Sequence, residues 1–312
     1  TCDLTKTKSK ALRLIMKYMN GIICHKLTNP LIFTVNKLLE SIHSQLIIHI
    51  DAKTSFDEVT KIKEALGQHP QLEYVSESKA LDVRWGGVSQ IEVMLLLMQL
   101  AQSYDYEYFS LISGDDIPLS LNSVRENFFE QAFLKEIEFI GCTSVHDAKR
   151  RLEIEYPSFF YKKNHSIFEK LCCKILLKYL ILFRKKDISH LPTLYKGSTW
   201  FTLTKEAVNY VLEYVDKNPQ YLNTFENSLC GDEVFFQTII FNSYLRNRIH
   251  GIDSCISDCE MGMRFIDWKT GPDYPRTLDS SDFPKMIKSG MLFSRKVDTK
   301  IELKELENLL KG

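Results

Sequence analysis

The first half of the chain alternates between short apolar runs and longer segments in which apolar residues recur every three or four positions. The short runs are typical of buried strands, and the longer segments are typical of helices that pack one face on a sheet. This alternation predicts an α/β fold with a mostly parallel central sheet and helices on both of its faces. The predicted strands are 21–25, 45–50, 72–75 and 108–112, and the predicted helices are 31–42, 56–66 and 89–103.

The second half of the chain has a mixed pattern, in which strands and helices do not alternate regularly. Two apolar runs predict strands, and four segments have helical spacing. The helix nearest the C-terminus has an apolar stripe that could dock on its own domain or on a second copy of the chain. The predicted strands are 138–141 and 200–203, and the predicted helices are 166–184, 205–215, 232–242 and 301–310.

Polar residues follow three of the predicted strands, at the point where each strand ends. They are His25, the pair Asp51 and Lys53, and the segment 113–116. Ligands of open parallel sheets bind at the carboxyl ends of the strands, so we expect these groups to face one crevice. The Asp51 carboxylate could accept hydrogen bonds from a ribose or a uracil. Alternatively, Asp51 could cap a helix or be an acid of a surface loop.

The three tryptophans, Trp85, Trp200 and Trp268, are each flanked by Gly, Ser, Arg or Asp. An aromatic plane beside polar groups suits a sugar or a nucleobase, and the alternative is three core tryptophans near turns. The flanking residues of interest are Arg84, Gly86, Gly87, Gly197 and Ser198. Paired glycines before a helix allow the backbone to approach an anion closely, although a turn followed by an N-cap at Ser89 has the same sequence.

Two acidic pairs and several late cations are the remaining candidates for chemistry. Asp115 and Asp116 end a predicted strand and could hold a divalent metal on a diphosphate, or one acid could cap the loop while the other contacts a sugar hydroxyl. Asp232 and Glu233 begin a predicted helix, where acids favour the helix dipole but could also supply a general base. Positive charge on a diphosphate leaving group could come from a metal or from Lys and Arg. The late cations are Arg264, Arg295 and Lys296, of which the last two could instead be a solvated surface pair.

Composition narrows these alternatives only slightly. Lys+Arg and Asp+Glu are both 40 among 312 residues, so no overall charge favours nucleic acid. The eight cysteines form no CxxC pair, which excludes a disulfide framework or a zinc site and favours a reducing compartment. No apolar run is long enough for a membrane span. The basic residues in 166–186 favour either a core-packed helix with exposed lysines or peripheral contact with an anionic membrane.

Eight short motifs resemble, in order, those of glycosyltransferase family 14, the core-2/I-branching β-1,6-N-acetylglucosaminyltransferase and peptide O-xylosyltransferase family. Each motif is short, but their common order from about residue 22 to 298 makes the set specific. The length of the chain and the lack of a membrane anchor are similar to the bacterial branch. The motifs are His25 with 29–30 (NP), 49–53 (HIDAK), 85–89 (WGGVS), 108–119 (YFSLISGDDIPL), 196–201 (KGSTWF), 232–236 (DEVFF), 264–268 (RFIDW) and 292–296 (LFSRK).

The resemblance implies a GT-A fold and an inverting, single-displacement transfer from a UDP-sugar, with UDP-N-acetylglucosamine as donor and UDP-xylose as the alternative. It implies that Glu233 is the catalytic base and that Arg264 and Lys296 neutralise the diphosphate, so that no metal or other cofactor is needed. The other donor-binding residues would be His25, Asp51, Lys53, Arg84, Trp85, Gly86, Gly87, Ser113 and Asp115. Residues binding the transferred sugar or the acceptor would be Asp116, Gly197, Ser198, Trp200, Asp232 and Trp268.

The expected partners are a UDP-sugar and a glycan or lipid-linked saccharide acceptor, with no nucleic acid. We expect a cytoplasmic protein that contacts the inner membrane only peripherally, through 166–186. Residues 1–17 would be an N-terminal extension and 301–312 a C-terminal helix. Between them, 18–300 would form one catalytic domain, with 18–120 as the nucleotide-binding half and 121–300 as the acceptor half. Two rival functions are a metal-dependent transferase using Asp115 and Asp116, and a non-catalytic scaffold that binds sugar nucleotides.

Overall fold

A five-stranded sheet forms the centre of the protein in a computed structural model that describes residues 16–143, 148–162, 165–272 and 274–310. The strand order is β3-β2-β1-β4-β6. The first four of these strands are parallel, and β6 runs antiparallel to β4 at the edge. This arrangement confirms the predicted α/β fold. The strands are β1 (Tyr18–Cys24), β2 (Ser44–Ile50), β3 (Leu72–Tyr74), β4 (Tyr108–Ser113) and β6 (Thr202–Thr204).

A second, smaller sheet lies next to the end of β4 and was not predicted. It consists of β5 (Ile117–Pro118), β7 (Arg264–Ile266) and β8 (Phe293–Arg295), in the order β5-β8-β7. Because only three residues separate β4 from β5, the loop at 114–116 joins the two sheets. Strands of two or three residues are too short for an alternation of apolar and polar residues to be recognised, which explains why the sequence did not predict them.

The helices cover both faces of the central sheet, as predicted. They are α1 (Asn29–Leu39), α2 (Phe56–Leu66), α3 (Ser89–Ala101), α4 (Asn122–Phe133), α5 (Ala148–Glu153), α6 (Ile167–Phe183), α7 (Lys205–Lys217), α8 (Pro219–Thr224), α9 (Asp232–Phe241), α10 (Asp258–Met261), α11 (Phe283–Lys288) and α12 (Leu303–Leu309). Short 3-10 helices occur at Ser158–Tyr161, Tyr244–Arg248 and Ser280–Asp282.

Helix starts follow ordinary capping chemistry. The Thr28 side chain accepts a hydrogen bond from the Leu31 backbone, and Pro30 occupies the first turn of α1. Ser55 caps α2 in the same way. The structure confirms the helices predicted for α1, α2, α3, α6, α7, α9 and α12. Their ends differ by at most three residues from the predicted ones.

Two hydrophobic clusters lie on opposite faces of the sheet. On one face α3, α7 and α9 bury residues such as Leu97, Val208 and Phe236 against the sheet. On the other face α1, α2 and α4 bury residues such as Val35 and Phe129. Helix α3 is apolar nearly all round because it is enclosed by the sheet and by α7 and α9.

The C-terminal helix α12 docks on its own domain. Leu306 and Leu309 are buried together with Phe33 of α1, and the Asn29 side chain donates a hydrogen bond of 2.8 Å to the Ile301 carbonyl. Of the predicted extension at 1–17, residues 1–15 lie outside the described part of the chain, as do residues 311–312. No helix within the described ranges is both long and apolar enough to cross a bilayer.

The predicted strand at 138–141 is wrong. Glu138 and Phe139 form only isolated bridges, with Ile249 and Thr202 respectively. The Glu138 carboxylate is buried and accepts hydrogen bonds of 2.8 Å from the Thr204 backbone and 2.6 Å from its hydroxyl. The Glu138 side chain thus makes hydrogen bonds where a regular strand would have backbone hydrogen bonds to its neighbour.

Stability should depend on pH through Glu138. Burial raises the pKa of its carboxyl from 4.5 to about 7, against the two Thr204 hydrogen bonds that lower it. Between these values the folded protein holds a proton that the unfolded chain has released. The free energy of unfolding should therefore fall as pH rises from 4.5 to 7, by about 2–3 kcal/mol.

Urea denaturation at pH 5 and pH 7.5 measures this dependence. In Glu138→Gln the decrease should be smaller, since the glutamine cannot ionise. Glu64→Gln, at an exposed position of α2, serves as the control and should keep the wild-type pH dependence. Equal pH dependence in wild type and Glu138→Gln would show that Glu138 is not the responsible group.

Candidate active site

The polar ends of β1, β2 and β4 lie at one edge of the sheet, as predicted. Cys24 is in register with Ile50, and Ile23 with Ser113. The Asp51 backbone donates to the Cys24 carbonyl and the Gly114 backbone to the Ile23 carbonyl, both at 2.9 Å. His25 lies in this group. Burial lowers the pKa of its imidazole, opposed first by the charge of Asp115.

Asp51 fixes the loop that follows β3. Its carboxylate is buried and accepts from the backbones of Lys53 at 3.1 Å and Val83 at 3.4 Å. The Lys53 ammonium lies 3.2 Å from Asp51 and 2.9 Å from Asp82. Asp51 and Lys53 therefore hold the loop at 81–84 against the sheet edge.

The turn at 84–87 is tied to the segment that precedes Glu233. Gly86 has a φ of +73°, and its carbonyl accepts from the Cys230 backbone at 2.7 Å. The Ser89 hydroxyl accepts from the Arg84 backbone at 2.8 Å, so Ser89 closes the turn and does not cap α3. Trp85 is half-exposed at this turn.

Glu233 lies in the first turn of α9, where the positive end of the helix dipole favours a carboxylate. Its carboxylate is about one-quarter exposed and lies 2.8 Å from the Arg151 guanidinium and 3.6 Å from the Lys196 ammonium. Arg151 also donates to the Cys230 carbonyl at 3.1 Å. These two cations orient the carboxylate. The sequence analysis named neither cation as a site residue. Lys196 appeared there only within the motif at 196–201, and Arg151 is far from Glu233 in the chain.

Asp232 is buried beside Glu233. One carboxylate oxygen accepts from the Thr199 hydroxyl at 2.7 Å, and the other has no partner among the described residues. Burial, and then the charge of Glu233, raises the pKa of Asp232 to about 6. With so little exposed surface, Asp232 holds the segment 196–200 in place, and the structure does not support the direct sugar contact predicted for it.

Three backbone segments meet behind Glu233 at distances that only glycine permits. A Cβ atom on Gly197 would lie 1.9 Å from the Gly141 carbonyl oxygen, and one on Gly141 would lie 1.9 Å from the Asp258 carbonyl oxygen. The Gly197 backbone donates to the Glu233 carbonyl at 2.9 Å. The Ser198 carbonyl, in turn, accepts from the Gln237 side chain at 2.7 Å. Gly197 and Ser198 thus position Glu233 and its helix more directly than they offer contacts to a ligand.

A second group of charges lies at the end of β8. The Lys296 ammonium is 3.1 Å from the Asp115 carboxylate, and Lys296 keeps one-third of its side chain exposed. The Arg295 guanidinium is 3.2 Å from the Ser113 hydroxyl and lies 4.0 Å above the ring of Trp200. One face of Trp200 therefore carries a cation.

Arg264 does not reach the crevice. It is 1% exposed, and its guanidinium donates to the carbonyls of Gly262 at 2.9 Å and Phe201 at 3.0 Å, and to the Thr202 hydroxyl at 3.0 Å. Burial lowers its pKa to about 10. This cation links β7 to the β6 region, so the direct diphosphate contact predicted for it is not supported.

Asp116 is also enclosed, although Asp115 beside it is not. Its carboxylate accepts from the Ser113 backbone at 2.9 Å and hydroxyl at 2.7 Å and lies 3.3 Å from the Arg295 guanidinium. Burial raises the pKa of Asp116, opposed chiefly by Arg295. Asp116 positions Arg295, and the sugar contact predicted for it is not supported.

The segment 196–200 joins the two groups of charges. The Gly197 backbone is hydrogen-bonded to the Glu233 carbonyl, and Trp200 lies beneath Arg295. Three residues span at most about 11 Å, so this segment keeps the Glu233 backbone close to the ring that lies beneath Arg295. Trp268 follows β7, next to Cys259, and is half-exposed.

Four of the acids at this edge are each paired with a cation, namely Asp51, Asp115, Asp116 and Glu233. Within the described ranges, no group of three His, Cys, Asp or Glu side chains is placed to hold a metal ion. Asp115 is the one member of the predicted metal pair with exposed surface, and it is already in contact with Lys296. The arrangement suits an anionic ligand that displaces carboxylates from cations.

A parallel sheet with a partly exposed carboxylate and paired cations near its carboxyl edge can bind an anionic ligand. A family model described as Core-2/I-Branching enzyme matches residues 21–289. The chain belongs to this family and is a glycosyltransferase.

Solved structures of two other glycosyltransferases are similar to the chain only loosely. Mouse xyloside xylosyltransferase 1, in its apo form, is 10% identical with a TM-score of 0.36, over 73% of this chain and 83% of that one. Core-mannan synthase A from Aspergillus fumigatus, in its Mn/GDP form, is 10% identical with a TM-score of 0.37, over 74% and 72%. Likeness at this level carries no information on donor, metal or mechanism. Comparison with curated protein sequences gave no match.

Gly197→Ala should destabilise the protein by about 3 kcal/mol and abolish transfer, because the added methyl group must push two backbones apart. Gly290→Ala is the control, since its Cβ would meet nothing and would cost only the strain of a positive φ, about 1–2 kcal/mol. Urea denaturation and an activity assay measure both effects. Wild-type stability in Gly197→Ala would show that the 141–197 contact is not tight.

Proposed function

We propose that the protein is an inverting glycosyltransferase that moves a sugar from a UDP-sugar to a glycan hydroxyl, with Glu233 as general base. The observation that carries this proposal is the Glu233 carboxylate, partly exposed and oriented by Arg151 at 2.8 Å and Lys196 at 3.6 Å. Asp232 and Asp116 are enclosed by their own hydrogen bonds. Glu233 therefore offers the better access to an acceptor.

The reaction follows from this placement. Glu233 takes the proton of an acceptor hydroxyl, whose oxygen attacks the anomeric carbon. The bond between that carbon and the phosphate oxygen breaks on the opposite face, and UDP leaves with the bonding electrons. One displacement of this kind inverts the configuration at the anomeric carbon.

Lys296 and Arg295 are the cations that we assign to the leaving diphosphate. Lys296 is partly exposed and is held at the crevice by Asp115, and Arg295 is fixed by Asp116 and Ser113. Positive charge at this point stabilises the negative charge that develops on UDP, which is the work a divalent metal does in other transferases. We therefore propose transfer without a metal. Arg295 takes the role that the family resemblance implied for Arg264.

The nucleoside would bind at the opposite part of the same edge. His25, Asp51, Lys53 and the turn at 84–87 surround the ends of β1 and β2. Trp268 is the better placed of the two later tryptophans for stacking on a sugar, because one face of Trp200 already carries Arg295. The donor that we assign on the family resemblance is UDP-N-acetylglucosamine, with a glycan or lipid-linked saccharide as acceptor.

Glu233→Gln should lower the rate of transfer by about 10²- to 10⁴-fold, because the amide cannot take the acceptor proton. UDP affinity, measured by calorimetry, should stay within about twofold of wild type. The matched control is Glu226→Gln, the same change at an exposed acid seven residues earlier, which should keep full activity. Full transfer activity in Glu233→Gln would reject Glu233 as the base.

Incubation with a panel of UDP-sugars should release UDP from one donor, and EDTA should leave the rate unchanged. The reason is that Lys296 and Arg295 supply the charge that a metal would otherwise provide. Hydrolysis of the donor reports this without knowledge of the acceptor. Loss of release in EDTA, with recovery in Mn²⁺, would contradict the metal-independent mechanism and favour chemistry at Asp115.

A further inference from the structure

Helix α6 exposes an apolar stripe to solvent along its whole length. Phe168, Leu171, Ile175 and Leu182 are 74%, 54%, 62% and 73% exposed. Their spacing of three, four and seven residues places them on one face of the helix. A contiguous apolar patch of this kind marks an interaction surface in a folded protein.

The other face of α6 accounts for its attachment to the protein. Leu180 is buried with Ile154, Tyr156 and Tyr161, and Leu176, Leu177 and Ile181 pack against the same cluster. The helix is therefore apolar on two opposite faces. The cluster explains the inner face, whereas no residue in the described ranges covers the outer one.

The charges beside the outer stripe are positive. Lys170, Lys174 and Lys178 repeat every four residues and form an exposed row along one flank. The single acid of the helix, Glu169, is occupied by the Ser166 cap and by an ion pair of 2.7 Å with Lys162. The row therefore has no acidic partner within the helix.

This charge pattern distinguishes between two kinds of partner. A second copy of the chain, docked through the same face, would bring two rows of lysines together without acids on the helix to neutralise them. An anionic lipid surface accepts both features at once. It offers phosphates to the lysines and an acyl boundary to the stripe.

We infer that α6 is an in-plane anchor that binds the protein to anionic lipid bilayers. The outer stripe enters the boundary between headgroups and acyl chains, and the lysine row lies at the level of the lipid phosphates. The cluster on which α6 packs also contacts Leu229, four residues before Glu233. Docking through α6 thus brings the crevice near the membrane surface.

Co-sedimentation with lipid vesicles tests this anchor without any sugar nucleotide, so its outcome is independent of the proposed reaction. Wild-type protein should sediment with phosphatidylcholine vesicles that contain about one-third phosphatidylglycerol, and not with pure phosphatidylcholine. Binding should weaken at least about tenfold when NaCl rises from about 0.05 to 0.5 M.

Variants separate the two features of the surface. Ile175→Gln with Leu182→Gln should weaken binding at least about tenfold, since these side chains supply the buried apolar area. The control is Ile42→Gln with Leu134→Gln, two exposed apolar residues elsewhere, and it should bind as the wild type does.

The lysine row has a control of equal charge. Replacement of Lys170, Lys174 and Lys178 by Gln should remove the preference for anionic vesicles. The same change at three other exposed lysines, Lys61, Lys79 and Lys288, should leave it intact.

Three results would overturn the inference. The first is wild-type protein that stays in the supernatant with anionic vesicles. The second is equal loss of binding in the α6 variants and in their controls. The third is a wild-type dimer, detected by analytical ultracentrifugation, that Ile175→Gln with Leu182→Gln converts to monomer without a change in vesicle binding.

Discussion

The close contact between the Gly197 and Gly141 backbones is the constraint on which the crevice depends, because it fixes the segment that carries both ends of the site. One end of this segment donates to the Glu233 carbonyl, and the other places Trp200 beneath Arg295. A side chain on either glycine would separate these backbones and move Glu233 relative to Arg295. The motif KGSTWF is therefore required first for packing. The positions of Glu233 and Arg295 depend on that packing.

The crevice contains carboxylates that are matched by cations, and this pairing shapes how a ligand can bind. Lys296 contacts Asp115, Arg295 contacts Asp116, and Arg151 contacts Glu233. A diphosphate that binds Lys296 must compete with Asp115. The loss of that ion pair therefore offsets part of the favourable binding free energy. In return, the cations are already oriented and need little reorganisation, which is the main advantage of a preorganised site.

The strands β1, β2 and β4 could be predicted from the sequence because they are buried on both faces and are largely apolar. The alignment of His25, Asp51 and Asp115 at one edge followed from parallel topology alone. The fates of Arg264 and Asp116 could not be predicted, because burial of a charged side chain depends on partners distant in sequence, such as the Phe201 carbonyl for Arg264 and Arg295 for Asp116. For the same reason, no local sequence pattern predicted the contact between Arg151 and Glu233.

The loop between the two sheets is supported from the far end of the chain. The Leu119 backbone donates to the Leu292 carbonyl at 2.9 Å, and the Val297 backbone donates to the Asp115 carbonyl at 3.0 Å. The segment 292–297, which makes these bonds, also contains Arg295 and Lys296. During synthesis, the sheet edge that carries His25 and Asp51 therefore leaves the ribosome well before Arg295 and Lys296 do. A polypeptide that stops short of residue 295 lacks both cations and the support for the Asp115 loop, so this part of the site cannot form until the late segment has been made.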